Sequence, residues 1–332
     1  MGEFELIGRY FAAAACARVG GELLQGIGDD CALLALPPGE HLAVSTDTLV
    51  AGVHFPDPCD PFLLAQRALA VSVSDLAAMG ADPLAFTLAL TLPQAEPAWL
   101  EDFARGLERV AAHCGIRLAG GDTTRGPLCL TLTVLGRVPA GQALTRAGAR
   151  PGELLCVGGP LGAAAAALPL VLGTSSAAPE VAAPLLAEYW TPRPQLALGR
   201  WLRERAGAAL DISDGLLADC GHIAAASGVR LVIEQARVPC PAPAKTFLGA
   251  ERALACACSG GDDYRLAFTL APEHVAELAR EVWPVSVIGR VEEGAGLCLL
   301  GPDGDEIAIS QGGYNHFAEP SAERPAAPRR NA

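Results

Sequence analysis

Apolar residues recur at helical spacing along 61–79 and again along 97–114. The second run has Pro97 just inside its start and Gly115 just past its end, the asymmetry of helix termini. The spacing predicts a helix over each, with Asp75 inside the first. Short apolar runs at 41–44, 85–92, 116–119 and 128–138 predict strands, as do those at 154–157, 208–212, 229–233 and 264–269. Further helices are expected in the alanine- and arginine-rich stretches between 157 and 208, after Gly215 to near Gly228, and over 272–282. The glycine-rich pieces 120–124 and 259–263 read as turns. Strands alternating with helices indicate an α/β protein.

At 332 residues the chain exceeds what one hydrophobic core organises. The aperiodic stretch 146–152, with Gly148, Pro151 and Gly152, is the expected boundary, giving domains 1–148 and 149–318. Residues 319–332, rich in Pro, Ala and Arg, are expected to be a disordered tail. The most lipid-like stretch, 162–173, is far shorter than the ~20 residues of a membrane span. No leader is readable at the N-terminus, so a cytoplasmic protein with no membrane association is expected.

The 11 cysteines lack paired ligand spacing and read as reduced apolar residues. A formal net charge of -13 argues against nucleic acid as a partner, because duplex binding needs Lys and Arg against phosphates. An acidic protein can still bind a polyanion where divalent cations lie between its carboxylates and the ligand.

Asp29, Asp30, Asp47, Asp122, Asp211, Asp214, Asp262 and Asp263 stand beside Gly, Ser or Thr, several of them at the ends of apolar runs. That spacing predicts strand-end loops, which in α/β sheets surround the ligand crevice. Singly, each reads as an ordinary turn former. Converging in one cleft, they would repel one another unless cations neutralised them. Oxygen donors without His or Cys at ligand spacing suit magnesium, whose usual chemistry is that of phosphates. No P-loop, GxGxxG helix or protein-kinase motif set is present.

The ordered strings GIGDDC (26–31), STDTLVAGVHF (45–55), SVSDLAAMGA (72–81), GGDTTRGP (120–127), DISDGL (211–216), GGDDY (260–264) and GYNHF (313–317) resemble the thiamine-monophosphate kinase family. The resemblance spans nearly the whole chain. It implies a two-domain α/β (α+β) fold of the aminoimidazole ribonucleotide synthetase type, in a homodimer whose N-terminal sheets join into a barrel. The implied reaction is direct transfer of a phosphoryl group from ATP to thiamine phosphate, giving thiamine diphosphate, with several Mg2+ ions; activation by K+ is left open. By the same resemblance, Asp30, Ser45, Thr46, Asp47, Asp75, Asp122, Asp211 and Asp214 would hold magnesium. Gly121, Asp122, Arg146 and Ser213 would contact ATP, and His54, Asp262 and Tyr314 would face thiamine phosphate.

Asp262 departs from the family pattern, which usually has Glu there, and shortens that contact. Two rival readings are a sister ATP-using enzyme of the same fold and a non-catalytic magnesium-nucleotide sensor. Against the first, Cys16 lacks the glycine-rich, lysine-bearing setting of selenophosphate synthetase. Against the second, the set of acidic positions is complete.

Overall fold

Residues 40–50 alternate between half-buried and exposed positions, and in the computed structural model they form one continuous strand, not the short run ending at Val44. The structure describes residues 2–28, 30–278 and 280–309. Asp29, Tyr314 and the expected tail 319–332 lie outside them.

The chain opens on α1 (Glu3–Leu6), a π-helical turn and a 3-10 turn, followed by the paired strands β1 (Leu23–Gln25) and β2 (Leu33–Leu34). The first α/β unit comprises β3 (Glu40–Val50), α2 (Pro61–Ala78), β4 (Asp82–Leu92), α3 (Pro97–Cys114), β5 (Arg117–Arg125) and β6 (Cys129–Pro139). The second begins with β7 (Leu154–Val157), α4 (Ala163–Val171), α5 (Pro179–Trp190), α6 (Leu196–Leu202), β8 (Ala206–Asp211), α7 (Leu216–Ser227) and β9 (Arg230–Glu234). It continues through α8 (Ala242–Leu248), α9 (Ala250–Ser259), β10 (Leu266–Leu270), α10 (Pro272–Leu278), β11 (Ser286–Glu292), β12 (Gly296–Leu300) and β13 (Glu306–Ile307). Among the described residues no helix is long and apolar enough to cross a membrane.

The first sheet has the order β3-β6-β4-β5, antiparallel except for the parallel β4–β5 pair. One face packs on α2 and α3 in a core that includes Leu69, Phe86, Phe103, Leu130 and Leu132. The register sends Ser45, Asp47 and Leu49 to that face and Val44, Thr46 and Thr48 to the other. On that outer face Thr46 and Thr48 meet Thr133 and Thr131 across the β3–β6 pair, each with hydroxyls 2.9 Å apart. Such cross-strand threonine pairs stabilise a strand whose outer face is not apolar. The polar triplet after Val44 therefore continues the strand.

The expected turn at 120–124 is also corrected. β5 runs through it beside β4, with Gly121 opposite Leu88, where a Cβ would lie 1.9 Å from the Leu88 carbonyl oxygen. The glycine is needed for strand approach. Asp47 and Asp122 thus lie within strands rather than in strand-end loops.

The second sheet has the order β13-β12-β9-β11-β7-β10-β8, antiparallel except for β9–β12. α2 lies between the units, packing on α3, β3 and β6 of its own and on α5, α6 and β8 of the other. Asp60 caps its N-terminus, accepting from the Phe62 amide at 2.8 Å, and Pro61 takes the first turn. Ala77 and Ala78 at its far end join Leu198, Leu202 and Phe268 in a core shared by both units. A helix enclosed this far can keep polar side chains only where they find partners.

Candidate functional site

Those polar side chains mark the site. Ser72 and Ser74 on α2 are fully buried. The Ser72 hydroxyl donates to the Ala68 carbonyl at 3.2 Å and is near enough to Asp47 of β3 to favour its charge, and the Ser74 hydroxyl donates to Asp211 Oδ2 at 2.6 Å, at the last residue of β8. On the same helix Asp75 accepts from the Ser45 hydroxyl. One turn of α2 therefore brings Asp75 close to Asp47 and Asp211, from both α/β units, with Ser45 bonding Asp75 and Ser74 bonding Asp211.

The charges there are costly. Burial pushes the Asp75 carboxyl well above the usual carboxylate range, and the neighbouring Asp211 and Asp47 push it further, against the Ser45 bond and the Arg146 guanidinium. Asp211 is raised by burial and by Asp219 and Asp47, and Asp47 by burial. Unneutralised carboxylates this close disfavour their own ionised forms.

The loop leaving β8 is held from below. Asp219, in the first turn of α7, accepts the backbone amides of Ser213, Asp214 and Gly215 at 3.0, 3.0 and 3.1 Å on one oxygen. Burial raises Asp219 to about 6 against those three bonds. With Asp219 fixing the backbone beneath, the Ser213 side chain is exposed and Asp214 half-buried near Asp219.

The other predicted positions divide. Arg146, exposed in the segment joining the units, is near enough to Asp75 to favour its charge. Asp262 lies across α2 in the 260–264 loop, ion-paired to Arg67 at 2.7 Å, while His54 follows β3. Asp263, its neighbour, spends both oxygens on the Gly162 amide at 2.8 and 2.9 Å, which pins the loop to the start of α4. Asp30 is exposed between β1 and β2. Thr46 and Asp122 are not brought to Asp47, Asp75 and Asp211. Thr46 points to the outer sheet face, and Asp122 pairs with Ala89, whose register with Thr131 places it on that face too.

Among the described residues no three Asp, Glu, His or Cys side chains converge closely enough to hold one ion. The carboxylates are spread along α2, β3 and the end of β8 instead. That arrangement fits magnesium, which commonly takes one or two carboxylates and fills its octahedral shell with water and phosphate oxygens. The donor set is all oxygen, and buried mutual repulsion is what a divalent cation would relieve, so the residues fit the group.

Sequence reasoning missed Ser72, Ser74, Asp219, Arg67 and Tyr189. The signal for the serines was available: two polar side chains at i and i+2, in the otherwise apolar run of a helix that is buried all round.

The profile described as AIR synthase related protein, N-terminal domain, matches residues 28–138, and the corresponding C-terminal domain profile matches 150–299. The thiamine-monophosphate kinase of Escherichia coli K12 is 45% identical over 325 residues, 96% of this chain and 99% of the relative. That of Haemophilus influenzae is 37% identical, over 96% and 99%. The crystal structure of thiamine-monophosphate kinase from Stenotrophomonas maltophilia K279a superposes with a TM-score of 0.80 at 43% identity, covering 86% of this chain and 92% of that one. The structure of AaThiL complexed with AMPPCP and TMP gives a TM-score of 0.77 at 30% identity, over 88% and 92%. The hydrogenase maturation protein HypE in complex with ATP, at 20% identity and a TM-score of 0.72, shares the fold. With profiles matching both α/β units and relatives this similar end to end, the chain belongs to the AIR synthase related family and, within it, to the thiamine-monophosphate kinases.

Proposed function

We propose that this protein transfers the γ-phosphoryl group of ATP to thiamine phosphate, yielding ADP and thiamine diphosphate. The observation that carries the reading is the set of carboxylates Asp47 and Asp75, half-buried, and Asp211, buried, the last two held by Ser45 and Ser74 where the two α/β units meet. Relatives named for the reaction and a related structure holding AMPPCP and TMP support it.

Magnesium would be held by Asp47, Asp75, Asp211 and Asp214 with Ser45; the family resemblance adds Asp30, between β1 and β2, and Thr46 on β3 and Asp122 on β5, which stand on the outer sheet face. When bound it offsets negative charge on the phosphate oxygens, where phosphoryl transfer needs it. The chain's own groups position the reactants. Arg146 presents a planar fork of donors to phosphate, and the Ser213 loop on Asp219 gives a fixed edge to the nucleotide side, with Gly121 and Asp122. His54 accepts from the Val50 amide at Nδ1, 2.9 Å away, so the neutral ring carries its proton on Nε2 as a donor. His54, Asp262 and Tyr314 face the acceptor in this reading. The acceptor oxygen is already anionic at neutral pH, so no strong base and no phosphorylated side chain is required.

The outer face of the first sheet supports a homodimer: Leu42 and Val44 stand 44% and 56% exposed on it. A second copy of the sheet closing on it would form the barrel expected of the family. A cytoplasmic location, where ATP and magnesium are supplied, suits the reaction.

The test is ADP release with ATP, magnesium and either thiamine phosphate or free thiamine, with K+ or Na+ as the monovalent ion. Product from the monophosphate alone supports the reading. Turnover with free thiamine, or none with either acceptor, contradicts it.

A further inference from the structure

Arg67 is a cation enclosed within the molecule, 2% exposed on α2. Its Nη1 donates to the Tyr189 carbonyl and its Nη2 to Asp262 Oδ1, both at 2.7 Å, and its guanidinium lies 4.0 Å from the Tyr189 ring centroid. Its buried Nε has no hydrogen-bond partner among the described residues. A buried guanidinium with an orphaned donor, paired to a carboxylate whose side chain is 31% exposed, is a poor source of stability, because desolvating the arginine costs about as much as the attraction returns. Stability therefore does not account for Arg67.

The partners of Arg67 lead to the two acceptor-side residues. Asp262 Oδ1 also accepts from the Tyr264 hydroxyl at 3.1 Å, which leaves Oδ2 without a protein donor among the described residues. Asp262 and Tyr264 both take left-handed backbone angles, φ 69° and 49°, uncommon for residues other than glycine. Strain of that kind persists where surrounding contacts over-determine it. On the other side, the Tyr189 hydroxyl donates to the His54 carbonyl at 3.1 Å. His54 belongs to the first α/β unit, whereas Asp262 and Tyr189 belong to the second.

We infer that Arg67 and Tyr189 form a bracket that sets the separation of Asp262 from His54, and so position the acceptor without touching it. The inference rests on thiamine phosphate as the acceptor. The bracket gives the shorter Asp262 a fixed place. Its Oδ1 is held by two donors, which leaves Oδ2 to meet a cationic acceptor ring from a loop pinned through Asp263. Arg67 and Tyr189 are positioning residues. Of the nucleotide-side groups, Arg146 lies in the segment joining the units, whereas Ser213 meets the Asp262 loop through its backbone, its carbonyl accepting from the Asp262 amide at 2.9 Å, a bond that neither Arg67 nor Tyr189 makes.

The experiment compares wild-type protein with Tyr189→Phe and Arg67→Lys. Tyr189→Phe keeps the ring over the guanidinium and removes only the bond to His54. Arg67→Lys keeps the charge and loses the two-pronged donation. The affinities of thiamine phosphate and of magnesium with AMPPCP are each measured by calorimetry, beside thiamine diphosphate formation. The expected result for Tyr189→Phe is a roughly 5- to 10-fold weaker acceptor affinity, the loss of about one hydrogen bond, with nucleotide affinity within about twofold. Arg67→Lys should lose more acceptor affinity than Tyr189→Phe and still spare the nucleotide.

Unaltered acceptor affinity in Tyr189→Phe would overturn the inference, as would parallel losses for acceptor and nucleotide. Wild-type protein that binds thiamine phosphate without forming product would overturn the proposed reaction and leave the bracket standing. Wild-type protein that binds no thiamine phosphate would overturn both.

Discussion

The Ser74 hydroxyl and the Asp211 carboxylate, 2.6 Å apart, join the central helix of one α/β unit to the end of a strand in the other. The bond is buried, and it lies where the carboxylates gather. Ser74→Ala leaves Asp211 enclosed without that donor. The expected cost is about 1–3 kcal/mol of stability near neutral pH, read as a lower urea midpoint. An unchanged midpoint would show that water replaces the hydroxyl.

Asp75→Asn should separate function from folding. The substitution removes a charge that burial and two neighbouring aspartates oppose, and it keeps the shape of the side chain. Turnover should fall by at least about 100-fold, while the thermal midpoint without magnesium stays level or rises, since the buried like charge is gone. A large drop in midpoint would assign Asp75 to the architecture.

Magnesium should stabilise the protein more at high pH than at low. Asp75 and Asp211 titrate at higher pH in the folded chain, up to about 7 for Asp75, than in the unfolded one, where carboxyls titrate near pH ~4. Between these limits the folded state binds more protons, so their contribution to stability falls as pH rises. A divalent cation takes the ionised form and reverses the loss. The gain in midpoint on adding magnesium should therefore be larger at about pH 8 than at about pH 5.5. Equal gains would contradict the assignment of these carboxylates to the metal.

Gly121→Ala should damage the fold before it damages nucleotide binding. A methyl group there would lie 1.9 Å from the Leu88 carbonyl oxygen. Separating β4 from β5 is expected to cost about 1–3 kcal/mol or more, visible in denaturant titration. A variant of normal stability with weakened ATP affinity alone would confine the role of this glycine to the nucleotide.

Helix α3 was legible from its spacing and its Pro97 and Gly115 termini, because it buries one apolar face along its length, and α2 from a run that is apolar nearly throughout. The extent of β3 was not. Its outward positions are Thr46 and Thr48, paired with threonines 85 residues or so away in sequence, so the apolar run stops where the strand does not. Gly120 and Gly121 looked like a turn because a close approach between strands and a tight turn call for the same residue. The acidic strings were legible as a family pattern. That Asp47, Asp75 and Asp211 gather while Thr46 and Asp122 face the other side of the sheet depends on register, which the strings do not carry. Arg67 was hidden because an arginine in a helical run reads as a solvated charge until burial shows otherwise.

The most direct measurement follows the phosphoryl group itself. Protein is incubated with magnesium, thiamine phosphate and ATP labelled at the γ-phosphoryl, and both the small-molecule products and the protein are analysed by mass. Direct transfer predicts label in the terminal phosphate of thiamine diphosphate, dependent on magnesium, with none on the protein. Label held on a side chain, or ADP formed with no labelled thiamine diphosphate, would contradict the account.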